Sequence, residues 1–421
     1  MIYLDHAATT AAYPEVVREM TPYLDRQYFN PSGSYREGRL LQKKLDKIRE
    51  KLAAVIHASP EEIIFTSGGT EADNWVLLNA ARTYSCKGRH IITSSIEHHA
   101  ILHTCGFLEK QGFEVTYLPV TRNGIIDCDM LNDAIRPDTI LISIMYANNE
   151  IGTLQPVHKI GQIAQKNSIP FHTDAVQAYG HLPIQVDDDS IDFLSVSAHK
   201  FGGPKGVGFL YANKELVLTP LLYGGAQEAG RRAGTENVAG IIGMGTASDI
   251  SAAHQKEHTR LQQTLRDHLM NRILSEIPMT RLNGSRQERL PGNINVSFAG
   301  IDSATLIAML EAKDMADFLN KAEYATKMSE YDRDMLKKFQ KLVKKVEEEE
   351  AKLNKEYEEL HTLQASLTEK QTAVEKLLTE KASEIASIES EMTEVQGLIT
   401  AAKEAERRRQ EAEEAAKQQA Q

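Results

Sequence analysis

The sequence predicts an α/β protein with a mostly parallel central sheet, then a truncated α+β region, then a long α-helical coiled coil. Three observations carry this. Short β-rich apolar runs alternate with amphipathic stretches over the first three-quarters of the chain, the pattern of strand–helix units around a parallel sheet. All 13 prolines lie at or before Pro291, and only Gly397 of the 26 glycines follows Gly300. Segments punctuated by Gly and Pro fold from many short elements, and a segment without them is one long helix or disordered. Past Asp314 the apolar residues fall into a heptad.

The elements follow in order. Glu62–Thr66, His90–Thr93, Glu114–Leu118, Thr139–Ile144, Pro170–Thr173 and Asp192–Val196 read as strands, being short, apolar and β-branched. Between them Thr70–Thr83, His99–Gln111, Asp129–Ala134 and Val157–Lys166 read as helices. Ser251–Ile277 reads as one long amphipathic helix leading to a smaller domain that begins near Pro278. The expected division is residues 1–255, 256–314 and 315–421. In the last segment, with position a at Leu336, seven of ten a positions and eight of nine d positions are apolar. A period sustained that long is a coiled-coil pattern and predicts self-association. Gln364, Gln371 and Lys381 interrupt the seam, which favours an antiparallel or loosely paired arrangement.

Composition removes several function classes. A net charge of -11 argues against a nucleic-acid surface, because phosphate neutralisation needs clustered Lys and Arg. Cys86, Cys105 and Cys128 are too few for a disulfide framework and suit a reducing compartment. No apolar run approaches the length of a membrane span, and the first residues show no signal-peptide pattern. A cytoplasmic location without membrane partners is expected.

The chemistry concentrates in five segments. Ser195-Val-Ser-Ala-His-Lys-Phe-Gly-Gly-Pro-Lys-Gly206 places Lys200 after a strand and before a Gly-rich loop. An amine desolvated there is more easily neutral and can form a Schiff base with an aldehyde. Phe65-Thr-Ser-Gly-Gly-Thr-Glu-Ala-Asp-Asn74 runs from a strand through glycines into a helix, whose free N–H groups and dipole suit a phosphate. His172-Thr-Asp-Ala-Val-Gln177 puts Asp174 at a strand end, where a buried carboxylate keeps a pyridine nitrogen protonated. Glu97-His98-His99 supplies an imidazole able to stack on such a ring. Ala147-Asn-Asn-Glu-Ile-Gly152 adds a polar cluster at another strand end, where open α/β sheets bind ligands. Together they point to pyridoxal phosphate (PLP). No metal site is expected.

Tyr3-Leu-Asp-His-Ala-Ala-Thr-Thr10, the Gly-Gly-Thr-Glu loop, Asn-Asn-Glu-Ile-Gly, Thr-Asp-Ala-Val-Gln, Ser-Ala-His-Lys and Arg232-Ala-Gly-Thr-Glu-Asn237 occur in the order seen in cysteine desulfurases, and residues 1–313 resemble that family. The resemblance implies the class V, fold type I architecture of PLP-dependent transferases and conversion of L-cysteine to L-alanine. The sulfur would pass as a persulfide to an acceptor protein in iron–sulfur or thio-cofactor assembly. It also implies residue roles. Lys200 resembles the Schiff-base lysine, Asp174 the pyridinium partner and His98 the stacking histidine. Gly69, Thr70, Ser197 and His199 resemble the phosphate cradle, and Asn149 and Gln177 would face the ring and its hydroxyl. Thr235 resembles the residue that reaches the neighbouring subunit's phosphate, which implies a homodimer.

The resemblance stops at about residue 313. The family's persulfide cysteine would follow Ile301-Asp-Ser-Ala-Thr-Leu306, and its substrate-gripping arginine lies farther on. Here no cysteine follows Cys128, and Met315 opens the heptad segment. Asp317–Thr326 and Ser329–Met335 resemble the coiled-coil region of exported peptidoglycan-hydrolase proteins. The junction reads as a fusion or frame artefact of two fragments, or as a coiled coil recruited as an oligomerisation arm. The expectation is a cysteine desulfurase-like enzyme with impaired sulfur transfer. The alternatives are selenocysteine lyase or aminotransferase activity, or a non-enzymatic coiled-coil interaction protein.

Overall fold

Seven short strands set the frame: β1 Ile63–Thr66, β2 His90–Ser94, β3 Glu114–Leu118, β4 Thr139–Ser143, β5 Phe171–Asp174, β6 Phe193–Ser197 and β7 Gly208–Ala212. They form one sheet in the order β1-β7-β6-β5-β4-β2-β3. Only β7 runs antiparallel to its neighbours, so the sheet is mostly parallel, as expected. The computed structural model describes residues 3–303, 306, 307, 311 and 315–419. The side chains of 315–337, 339, 340 and 416–419 are outside that description. Residues 1–300 form one compact unit and 301–421 a second.

Alternation along the strands explains why the sheet is covered on both faces, since successive side chains point to opposite sides. Ile63, Phe65, Leu194, Phe209 and Tyr211 enter one apolar cluster. Their neighbours Ile64, Phe193 and Leu210 enter the other. Helices α1 (Pro14–Met20), α3 (Arg36–Val55), α7 (Val157–Lys166) and α8 (Val238–Glu276) contribute to the first cluster. Helices α4 (Gly69–Thr83) and α5 (His99–Glu109) supply Trp75, Val76, Ile101 and Leu108 to the second. The short α2 (Pro22–Asp25) and α6 (Cys128–Ala134) complete the helices of this unit among the described residues.

Two differences from the sequence reading have physical causes. Strand β7 was not expected, because it opens on a glycine and follows β6 without a helix between. Gly208 is required there: a Cβ would lie 2.2 Å from the Val196 carbonyl oxygen and 2.8 Å from Gly68 Cα. Helix α8 begins at Val238 rather than Ser251. Its first turns, Val238-Ala-Gly-Ile-Ile-Gly-Met-Gly, are buried nearly all round and so lack the amphipathic period used to find the rest. α8 also runs unbroken through residue 255. Helices α1 to α3 were not singled out either.

The short strands β8 (Thr280–Leu282) and β9 (Val296–Phe298) form an antiparallel pair. Ile294, Val296 and Phe298 are half-buried there. Leu261, Leu265 and Leu269, one turn apart on α8, are 55%, 60% and 50% exposed. The segment 302–311 lies partly outside the described residues: Leu306 is half-buried, and Leu310 is among the residues not described. In the second unit α9 (Met315–Gln419) is a single helix of 105 residues. Its seam residues Leu353, Leu360, Leu367, Ile385 and Ile388 are all exposed. Among the described helices none is long and apolar enough to cross a membrane.

Candidate active site

The C-terminal ends of the parallel strands open onto a cavity of about 540 Å³. Nine of the ten residues singled out from the sequence line it: Gly69, Thr70, His98, Asn149, Asp174, Gln177, Ser197, His199 and Lys200. Thr235 does not. It is exposed on the loop before α8.

Lys200 ends a short 3-10 turn, Ala198–Lys200, directly after β6. Its Nζ donates to the carbonyl oxygen of Ala8 at 2.9 Å and to that of Ala7. Burial lowers the amine below the ordinary lysine range, against the opposing pull of Asp174, Asp5 and Glu150. Asp174 closes β5 with its side chain at the cavity floor, and Oδ1 accepts the Val176 N–H at 2.9 Å. Burial raises its carboxyl above the usual range, while the Val176 bond, His98 and Lys200 work the other way.

His98 is the N-cap of α5 and accepts the Ala100 N–H on Nδ1 at 3.1 Å. That bond leaves Nδ1 without a proton and fixes the ring at the cavity wall. Gln177 Nε2 donates to the Ala7 carbonyl oxygen at 2.9 Å, and Asn149 Nδ2 donates to Glu150 Oε1 at 2.8 Å.

A second recess of about 360 Å³ adjoins the first and shares Ala8, Gly69, Thr70, Ser197 and His199 with it. It sits at the N-terminus of α4, entered through Gly68 at φ 149°, a conformation glycine adopts readily. Lys205 joins the lining. Free N–H groups, the helix dipole and a cation make this an anion site. The one acid there, Glu71, is compensated. Burial works to raise it, but its bonds to Arg232 (2.9 and 3.1 Å) and the Ser67 N–H hold the carboxyl below its ordinary value. His199 Nδ1 pairs with Thr9 Oγ1 at 3.1 Å, and burial together with Lys200 and Lys205 lowers its pKa.

The donor set fits PLP: an amine of lowered pKa, a buried carboxylate and an anion recess open into one cavity. Ala7, Ala8 and Asp5, from the N-terminal segment, also line it. The Tyr3-Leu-Asp-His-Ala-Ala motif pointed to this segment without saying which atoms would serve. Asp73 and Glu150 line the cavity as well.

The thiols lie elsewhere. None lines the cavity. Cys105 is buried in α5, and burial, with Glu97 and Glu109, pushes it up to about 12. Cys128 opens α6, and burial raises it too. Cys86 is exposed. No arginine lines the cavity among the described residues.

The family model described as Aminotransferase class-V matches residues 2–318. The cysteine desulfurase IscS of Methanosarcina thermophila is 53% identical over 312 residues, which span 74% of this chain and 77% of that protein. The cysteine desulfurase IscS of Dictyoglomus turgidum is 50% identical, over 74% of this chain and 79% of its own. Among solved structures, a NifS-like protein superposes with a TM-score of 0.71 at 38% identity, covering 73% of this chain and 85% of that one. A structure of SspA in complex with cysteine gives 0.65 at 36% identity, covering 77% and 94%. The chain therefore belongs to the class-V aminotransferase family, as a PLP-dependent, cysteine desulfurase-like enzyme.

Proposed function

We propose that this chain binds PLP and L-cysteine as a cysteine desulfurase does and is impaired in passing the sulfur on. The observation that carries the reading is the convergence of Lys200, Asp174 and the α4 anion recess on one cavity. Bound PLP supplies an electron sink for the substrate's α-carbon. The protein's own groups do the rest. Lys200 Nζ, its pKa lowered by burial, holds the cofactor and moves the proton at the substrate's α-carbon. Asp174 would keep a negative charge for the ring nitrogen. His98 would stack on the ring, and Asn149 and Gln177 would orient its polar edge. Gly69, Thr70, Ser197 and His199 would hold the phosphate.

The impairment follows from what surrounds the substrate. A thiolate must attack the substrate sulfur, and a cation must orient the substrate carboxylate. Buried Cys105, pushed up to about 12, and half-buried Cys128, which burial also raises, are poor nucleophiles. Thr235, exposed before α8, serves the phosphate of the second subunit in a homodimer. Residues 1–255 act as the PLP-binding domain, 256–314 as an incomplete small domain and 315–421 as a self-associating coiled coil. The assembly works in the cytoplasm with a sulfur-acceptor protein.

The test is the visible absorbance of purified protein supplied with PLP. Wild type should carry the band of lysine-bound cofactor, and Lys200→Ala should lose it. Folded wild-type protein without such a band would overturn the reading.

A further inference from the structure

The cavity lining includes a polar group that the proposed mechanism does not use. Asp73 projects from the second turn of α4 against the sheet and is 1% exposed. Its Oδ1 has no hydrogen-bond partner among the described residues. His172, on β5, comes within 3.6 Å of that oxygen. Both ring nitrogens of His172 are already engaged, with Ser143 Oγ at 2.9 Å and Ser195 Oγ at 3.0 Å. Burial holds His172 at a pKa of about 3, so it brings no positive charge.

The remaining charged neighbours are acids. Asp174 lies at the same cavity floor, and Glu97, from the turn before α5, is the third buried carboxyl of the group. Lys200 and His98 act on Asp174 instead. An ionised Asp73 would therefore hold a charge out of water with no donor on Oδ1, no cation and a carboxylate nearby. Such a charge is expensive, and a proton relieves it.

We propose that Asp73 is a neutral carboxylic acid, a positioning residue that leaves Asp174 as the charged carboxylate of the cavity floor. Burial, Asp174 and Glu97 all push its carboxyl upward, and the Ser195 hydroxyl opposes them. The functional consequence rests on the reading of Asp174 as partner of the ring nitrogen. The protonation state itself does not.

The linkage has a definite sign. A carboxyl whose folded pKa exceeds its unfolded value stabilises the fold fully below the unfolded value. That contribution is lost as pH rises toward the folded one. Asp73→Asn keeps the shape and neutrality of the acid. From about pH 5 to about pH 8, the folding constant of wild type should fall relative to Asp73→Asn by up to about tenfold per pH unit. The comparison uses denaturant titrations of the full chain saturated with PLP. A ratio that stays flat, or moves the other way, overturns the proposal.

Should Asp73→Asn fail to fold, infrared spectroscopy of Glu97→Gln decides instead, since that variant lacks the neighbouring acid that burial pushes up to about 8. A carboxylic-acid C=O band at neutral pH supports the proposal, and its absence overturns it. The pH midpoint of the cofactor's visible band reports the consequence for Asp174. It should be the same in wild type and Asp73→Asn, and a displacement of about one pH unit or more overturns the positioning role. If wild type shows no such band, the reading of the site as a PLP site fails, while the stability and infrared results still decide Asp73.

Discussion

Arg49 and Glu228 meet in a two-armed ion pair beneath β1, 2.8 Å on each arm, with the Glu228 side chain 5% exposed. Glu228 Oε2 also accepts the Phe65 N–H at 2.9 Å, and the Arg49 guanidinium lies 4.3 Å from the Phe65 ring centroid. Glu228 and Ala229 both adopt left-handed backbone, φ 49° and 55°. The loop that carries Thr235 is thus pinned to the sheet by one carboxylate, which holds two strained residues in place. Glu228→Ala should destabilise the fold by about 3–5 kcal/mol, because it strands a largely buried guanidinium and an unpaired strand N–H. A denaturant midpoint within error of wild type would show that the loop is anchored by something else.

The role given to Asp174 is checked by isotope exchange. Asp174→Ala should still bind PLP but slow exchange of the L-alanine α-proton in deuterated water by about a hundredfold or more, since a preorganised charge is removed. Exchange at the wild-type rate would take Asp174 out of that role.

Glu97 predicts a pH dependence. Its Oε1 accepts from the Ser94 hydroxyl at 2.5 Å and the Met145 N–H at 3.0 Å, yet burial pushes the carboxyl up to about 8. The folded value lies above the unfolded one, so the contribution of Glu97 is complete below about pH 4.5 and fades as pH rises toward 8. Glu97→Gln should flatten that decline in stability. An unchanged slope between the two proteins would mean that Glu97 is ionised in the fold.

Turnover should be very low. With L-cysteine and dithiothreitol, sulfide release should be at least about a thousandfold below that of a chimaera whose residues from 301 onward are replaced by a complete family small domain. Comparable rates would show that Cys86, Cys105 or Cys128 transfers sulfur after all, and single Ser variants would identify which.

The exposed seam of α9 should mediate self-association. Leu353→Glu with Leu360→Glu places charges at two successive d positions. Sedimentation should then show a smaller assembly than wild type forms, with the spectrum of bound PLP retained. An unchanged assembly would assign α9 another role.

Most of the sheet was legible because its strands are buried on both faces, so each reads as a compact apolar run. The site motifs were legible because strand–Gly–helix turns and polar clusters at strand ends are local features. What escaped depends on partners distant in sequence. β7 is a strand because it pairs between β1 and β6. The first turns of α8 are helix because Gly243 packs on Met20 and Gly245 on Ile48.

By itself the sequence determined the α/β class, the PLP chemistry and the helical tail. Local pattern and residue type suffice for those. Only the tertiary structure decided that Ala7 and Ala8 reach the amine of Lys200, that Thr235 stands outside the cavity, and that Asp73, Glu97 and Asp174 share one buried region. Those relations join segments far apart in sequence, and the pKa of each group depends on the burial and neighbours that folding supplies.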